Sequence, residues 1–128
     1  MQPHDLHKVI LWMGNSKEII STFPAGVKSL IGYALRLAQA GETHGNAKAM
    51  KQNLRDVMEI AVDVGDAYRA CYTIKLGDSL YVLDAFQKKS KSGISTPRRD
   101  LVRIGTRLRE ARRHHETECK YKIKNKTG

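Results

Sequence analysis

The stretch AYRACYTIKLGDSLYVLDAFQKKSKSGISTPRRDL, residues 67–101, holds two apolar runs, a glycine turn, a basic strand end and a helix start. Runs at about 67–76 and 79–87 flank Gly77-Asp78, and a third at about 57–63 precedes them across Gly65-Asp66. Their lengths and their aromatic and β-branched content predict strands. Both separators suit tight hairpin turns, because glycine tolerates the positive φ that such turns require. The run 79–87 is apolar on both alternating sets, Leu80, Val82 and Phe86 against Tyr81, Leu83 and Ala85, which predicts a strand buried on both sides near the sheet centre. Its far end sets Gln87, Lys88 and Lys89 at the sheet margin. Residues 90–95 read as a linker. Thr96-Pro97 then predicts a helix start, a hydroxyl cap followed by proline at the first helical position. Leu101, Ile104, Leu108 and Ala111 draw one apolar stripe along that helix. Arg98, Arg99, Arg103, Arg107, Arg109, Arg112 and Arg113 cover much of the rest, and the final KYKIKNKTG is expected to fray.

Upstream, residues 7–13 are a short apolar run closed by Gly14, which favours a strand. Asn15 or Ser16 can cap a short helical turn through Phe23. Pro24 suits a first helical turn, and Val27, Leu30, Ile31, Ala34, Leu35 and Ala38 follow at helical spacing until Gly41. Residues 41–56 are polar and irregular, and they read as a loop with at most a turn of structure. No internal repeat is present.

At 128 residues with 41% hydrophobic content the chain fits one domain with one core. Residues 1–85 carry nine Lys/Arg and nine Asp/Glu, whereas residues 86–128 carry fourteen against four, so the net charge of +10 belongs to the C-terminal third. So steep an asymmetry points to a polyanionic partner. Cys71 and Cys119 are too few and too isolated for a disulfide framework or a CxxC site, which suits a reducing compartment. The N-terminal apolar run is five residues, Val9 to Met13, without a basic region before it or a cleavage site after it, and no later run approaches a bilayer span. A cytoplasmic protein without a membrane partner is expected. Neither GxxxxGK[ST] nor GxGxxG occurs, so a phosphate-cradling glycine loop has no support. His4/His7 and His114/His115 with Cys119 have helical metal-ligand spacing, but both sets lie near the termini and four placed ligands are usually needed. No metal or other cofactor is expected.

The remaining chemistry is cationic. Arg69 sits in an otherwise apolar strand, where a guanidinium must reach solvent, a carboxylate or a ligand phosphate. Glu59 or Asp84 could pair with it. Lys88 and Lys89 could equally be a solvated strand end that guards against edge pairing.

The order of elements, with AKAMK at 47–51, WMGNSKEIISTFP at 12–24 and the 67–101 stretch, resembles the RelE/ParE superfamily, and within it the phage-related HigB-like toxins of type II toxin–antitoxin systems. The resemblance spans about residues 8–112, and it is most specific in Tyr68-Arg69 and Phe86-Gln87-Lys88-Lys89 followed by Thr96-Pro97. It implies a RelE-like α+β fold, with a small antiparallel sheet of about four strands packed with N-terminal helices and a basic C-terminal helix. Residues 1–112 would form the domain and 113–128 a mobile basic tail. It also implies a metal-independent endoribonuclease that cleaves mRNA on the ribosome and is neutralised by a cognate antitoxin of helix-turn-helix type. In such cleavage the RNA 2′-OH attacks the adjacent phosphorus and the 5′-oxygen leaves. The protein must move protons and stabilise a phosphorane of extra negative charge.

By resemblance, Arg69 grips the scissile phosphate, Lys48 and Lys51 orient the backbone or assist proton transfer, and Lys88 and Lys89 add charge. Arg55, Arg98, Arg99 and Arg103 contribute RNA affinity. Many relatives carry a histidine where this chain has Asp84, which then acts as the base or is a salt-bridge partner of Arg69, with a lysine as the competing proton donor. The competing reading is a non-catalytic member that inhibits DNA gyrase, or one that only binds its antitoxin.

Overall fold

A computed structural model of the chain describes residues 8–88 and 96–127, with side chains as far as Cys119. The three predicted strands appear as β3 (Met58–Val64), β4 (Asp66–Leu76) and β5 (Ser79–Lys88). The β4–β5 turn falls on Gly77-Asp78 as expected, with Gly77 at φ +62°. The β3–β4 turn is tighter than the two residues expected. Asp66 already pairs with Val64, so Gly65 alone, at φ +74°, reverses the chain.

Two further strands complete a five-stranded sheet of order β1-β5-β4-β3-β2. The first, β1 (Val9–Trp12), runs parallel to β5, and β2 (Ala47–Ala49) runs antiparallel to β3 with Lys48 opposite Glu59. The sheet thus has one strand more than expected, from a stretch read as loop. Three residues are too few for an alternating pattern to stand out. A 3-10 turn at Gln52–Leu54 follows.

Helices α1 (Ser16–Ser21) and α2 (Ala25–Gln39) cover one face of the sheet. Val27, Ile31, Ala34, Leu35 and Ala38 of α2 pack there on Ile60, Val62, Tyr68, Tyr72, Leu80 and Val82. Helix α3 (Arg98–Thr127) covers the opposite face, where Ile104, Leu108 and Ala111 meet Cys71, Tyr81, Leu83 and Phe86. The predicted stripe on α3 is the buried one. The helix extends past residue 112 to Thr127. Pro97 carries the carbonyl that accepts the first helical bonds, from Asp100 and Leu101, which frees the Thr96 hydroxyl for another partner.

Strand β5 departs from strict alternation. Cys71 lies opposite Asp84 and Tyr72 opposite Val82, so Leu83 is an extra residue in a β-bulge. Leu83 and Asp84 therefore both face α3, Ala85 faces α2, and Phe86 joins the α3 core, the reverse of the faces expected for Ala85 and Phe86. Both cysteines are free, Cys71 buried and Cys119 exposed. Among the described residues no helix is long and apolar enough to cross a membrane.

Candidate functional site

The bulge aims a carboxylate into the interface between the sheet and α3. Asp84 is fully buried, and a buried carboxylate needs cationic and hydrogen-bonding partners. Arg103 Nε donates to its Oδ2 at 2.8 Å, and Arg107 Nη1 to its Oδ1 at 2.8 Å. The Ala85 amide donates to Oδ1 as well. Arg103 also pairs with Asp100 and lies 5.8 Å from the Phe86 ring centroid. Burial pulls the Arg103 guanidinium down, but its hydrogen bond to Asp100 and the charge of Asp84 outweigh that and hold it above its ordinary value. Arg107 reaches further, to the Leu83 carbonyl at 3.1 Å and to Asn15 Oδ1 at 3.1 Å at the start of α1. One aspartate thus binds two successive turns of α3 to the sheet.

Arg69 lies on the same face of the sheet and is 5% exposed. Its partner is neither Glu59 nor Asp84. Nη1 donates to Asp63 Oδ1 at 2.8 Å and to its neighbour's carbonyl, Tyr68 O, at 2.9 Å. Ala61 stands directly opposite Arg69 on β3, which makes Asp63 the diagonal same-face neighbour, within reach of a long side chain. Asp84, opposite Cys71, is already held by α3. Lys88 is buried as well, at 5% exposure, opposite Ala67. Between these charges sits Cys71, whose thiol is pushed well above its ordinary value, first by burial and then by Glu59 and Asp84.

Beyond this buried network a cleft of about 600 Å³ opens between the β2 end of the sheet and the first three turns of α3. Lys48 and Lys51 line one side, Arg109 the other, and Glu59 lies among them. Ala49, Met50, Leu54, Leu101, Val102 and Gly105 give it an apolar wall. Glu59 is half-buried, and its Oε2 accepts a hydrogen bond of 2.8 Å from the Thr96 hydroxyl that the helix start leaves free. The arrangement sets three cations and one oriented carboxylate around an open space. Those are the groups needed to hold a phosphodiester, take a proton from one oxygen and return one to another.

The expected residues therefore separate. Lys48 and Lys51 are exposed and share the cleft, whereas Arg69, Asp84 and Lys88 are buried outside its lining. Lys89 lies outside the described residues, as do His4 and His7. Arg55 is exposed on the turn after Leu54, and Arg98 and Arg99 are exposed on the first turn of α3. Arg103, expected to bind RNA, is committed to Asp84 and Asp100. His114 accepts or donates at Tyr81 Oη, 2.8 Å away, while His115 approaches Cys119 Sγ at 3.5 Å, so the two rings serve different neighbours.

Arg109, Glu59 and Thr96 are the site residues that the sequence reading placed elsewhere. Only the fold joins Glu59 to Lys48, but α3 did carry a signal: Gly105 lies inside a helix, one turn from Leu101 and from Arg109. An interior glycine often marks a site of close approach or open space.

A family model described as phage derived protein Gp49-like matches residues 18–109. Among solved structures, the chain is similar to the toxin–antitoxin complex RelBE2 from Mycobacterium tuberculosis, with 12% identity and a TM-score of 0.46, over 66% of this chain and 95% of that one. No curated protein matches the chain.

Proposed function

The chain belongs to the phage-derived Gp49-like family, and on that premise we propose that it is the toxin of a type II toxin–antitoxin system, an endoribonuclease that cleaves mRNA and is neutralised by a cognate antitoxin. One observation carries the reading: Lys48, Lys51 and Arg109 converge with Glu59 on a single cleft. Lys48, Lys51 and Glu59 come from residues 1–85, whose Lys/Arg and Asp/Glu balance, and Arg109 comes from the basic C-terminal third. On this reading a cation from the basic segment joins a site whose other groups come from residues 1–85.

Cleavage runs as an internal transfer. Glu59, oriented by Thr96, takes the 2′-OH proton, the 2′-oxygen bonds to phosphorus, and the bond from phosphorus to the 5′-oxygen breaks. A lysine returns a proton to that oxygen, leaving a 2′,3′-cyclic phosphate and a 5′-hydroxyl. Lys48, Lys51 and Arg109 face the phosphorane as its charge rises and stabilise it by placing positive charge where negative charge develops. Arg69 and Asp84 act from beneath, through Asp63 and α3 respectively, by keeping the walls in place.

Induction of the wild-type protein without antitoxin should arrest growth and create new mRNA 5′ ends in translated regions. The Lys48→Ala/Lys51→Ala double variant should lose both effects while its circular dichroism and melting stay those of a folded protein, since both side chains are exposed. Retention of full cleavage by the double variant would remove these lysines from the chemistry. Arrest with intact mRNA and a DNA-damage response would instead identify a gyrase inhibitor.

A further inference from the structure

We propose that the cleft seats a single RNA base against its apolar wall and that Gln52 reads the edge of that base. This rests on the endoribonuclease reading above and names the element of that site which sets sequence preference. Gln52 is alone among the described non-glycine residues in having positive φ, at +57°. Such a backbone is disfavoured for a residue with a side chain, and strain of this kind gathers where a group must be aimed.

The turn that holds it is closed on both sides. Leu54 N donates to the Lys51 carbonyl, Arg55 N to the Gln52 carbonyl, and Met50 N to the Val57 carbonyl. The Gln52 carbonyl is therefore used, whereas its side-chain amide makes no hydrogen bond among the described residues and is exposed on the cleft lining. A carboxamide presents a donor and an acceptor side by side, the pattern that pairs with a base edge.

The surroundings fit one nucleotide. Leu54, Leu101, Val102 and the bare backbone of Gly105 form an apolar wall for a base face, and a Cβ on Gly105 would find its nearest neighbours at 3.9 Å, Arg109 Nη1 and a Leu54 methyl. Lys51 precedes Gln52 directly and both line the cleft, so a cation for a phosphate and an amide for a base are neighbours there. The volume of about 600 Å³ lies within the range of small-ligand clefts. Single-stranded RNA is read in this way, with a base splayed out and hydrogen-bonded on its edge.

The test maps the new 5′ ends produced in a cell-free translation extract by the wild-type protein and by Gln52→Gly and Gln52→Glu. Glycine relieves the positive φ, so that variant keeps the turn. The wild type should favour one base at a fixed position beside the cut. Gln52→Gly should reduce that preference about tenfold by slowing cuts beside the favoured base more than cuts beside the others, and Gln52→Glu should move it toward guanine, whose N1–H and N2–H offer two adjacent donors to a carboxylate. The same base preference in both variants overturns the assignment.

Absence of cleavage by the wild type would sink the nuclease reading, and the inference is then decided by fluorescence titration of the purified protein with uniform A, C, G and U trinucleotides. Discrimination that collapses in Gln52→Gly supports it. Equal discrimination in the wild type and the variant, or none in either, overturns it, as would cleft-dependent binding of an acidic peptide in place of every trinucleotide.

Discussion

At the scale of single residues, the interface between sheet and α3 is built from groups that burial forces into partnership. Asp84 sits in a run of apolar residues, and its position alone says that a cation must meet it. Which cation is decided by the bulge and by the four-residue spacing of Arg103 and Arg107 on α3. Cys71, opposite Asp84, is the neutral counterpart. With its thiol held above its ordinary value of 9.0 by burial and by Glu59, the folded protein keeps the proton that the unfolded chain releases as pH rises. The unfolded state binds fewer protons as pH rises through 9, so stability falls there, and keeps falling until the folded thiol also ionises. Urea unfolding under reducing conditions at pH 8, 9 and 10 should show that loss in the wild type. Cys71→Ala should lack it while sharing any steeper fall above pH 10 from Tyr72 and Tyr81, whose hydroxyls burial also raises. Parallel curves for the two proteins would mean that Cys71 ionises as freely folded as unfolded.

At the scale of elements, the strands, the long α2 and the stripe on α3 were legible because each carries several turns or pleats of consistent pattern. Strand β2 was not, since three residues carry no period, and the cleft was invisible because Lys48 meets Glu59 only through strand pairing. The faces of β5 were misread for a different reason. Period-2 reasoning has no way to register an extra residue, and Leu83 is one. The same fact yields a deletion test. Without Leu83 the strand alternates regularly and Asp84, Ala85 and Phe86 keep their present faces. Without Ala85, Phe86 moves to the α2 side and every later residue of the strand inverts. Deletion of Leu83 should therefore leave a folded protein, weaker by about 2–5 kcal/mol for the lost buried leucine. Deletion of Ala85 should abolish the cooperative urea transition altogether. Equal damage from the two deletions would show that the bulge does not set the register.

At the scale of the whole molecule, the fold sorts a charge excess that composition leaves undivided. Arg103, Arg107 and Arg112 of α3 are neutralised within the protein by Asp84, Asp100 and Asp56. Arg98, Arg99 and Arg113 are exposed and outside the cleft, so they contribute to the long-range field without entering the proposed chemistry. For a single-stranded ligand each phosphate contact adds about −0.7 to the slope of log K against log salt concentration. Replacing these three arginines with glutamine should flatten the slope by up to about 2 and weaken RNA binding at low salt. It should leave the cut sites and their base preference unchanged, because Lys48, Lys51, Arg109 and Gln52 remain. Measured by fluorescence titration from 50 to 300 mM KCl, an unchanged slope would mean that the basic face of α3 is not where RNA lies. Altered cut sites would mean that these exposed arginines and the cleft are not separable, and that residues on the first turn of α3 help to choose the base.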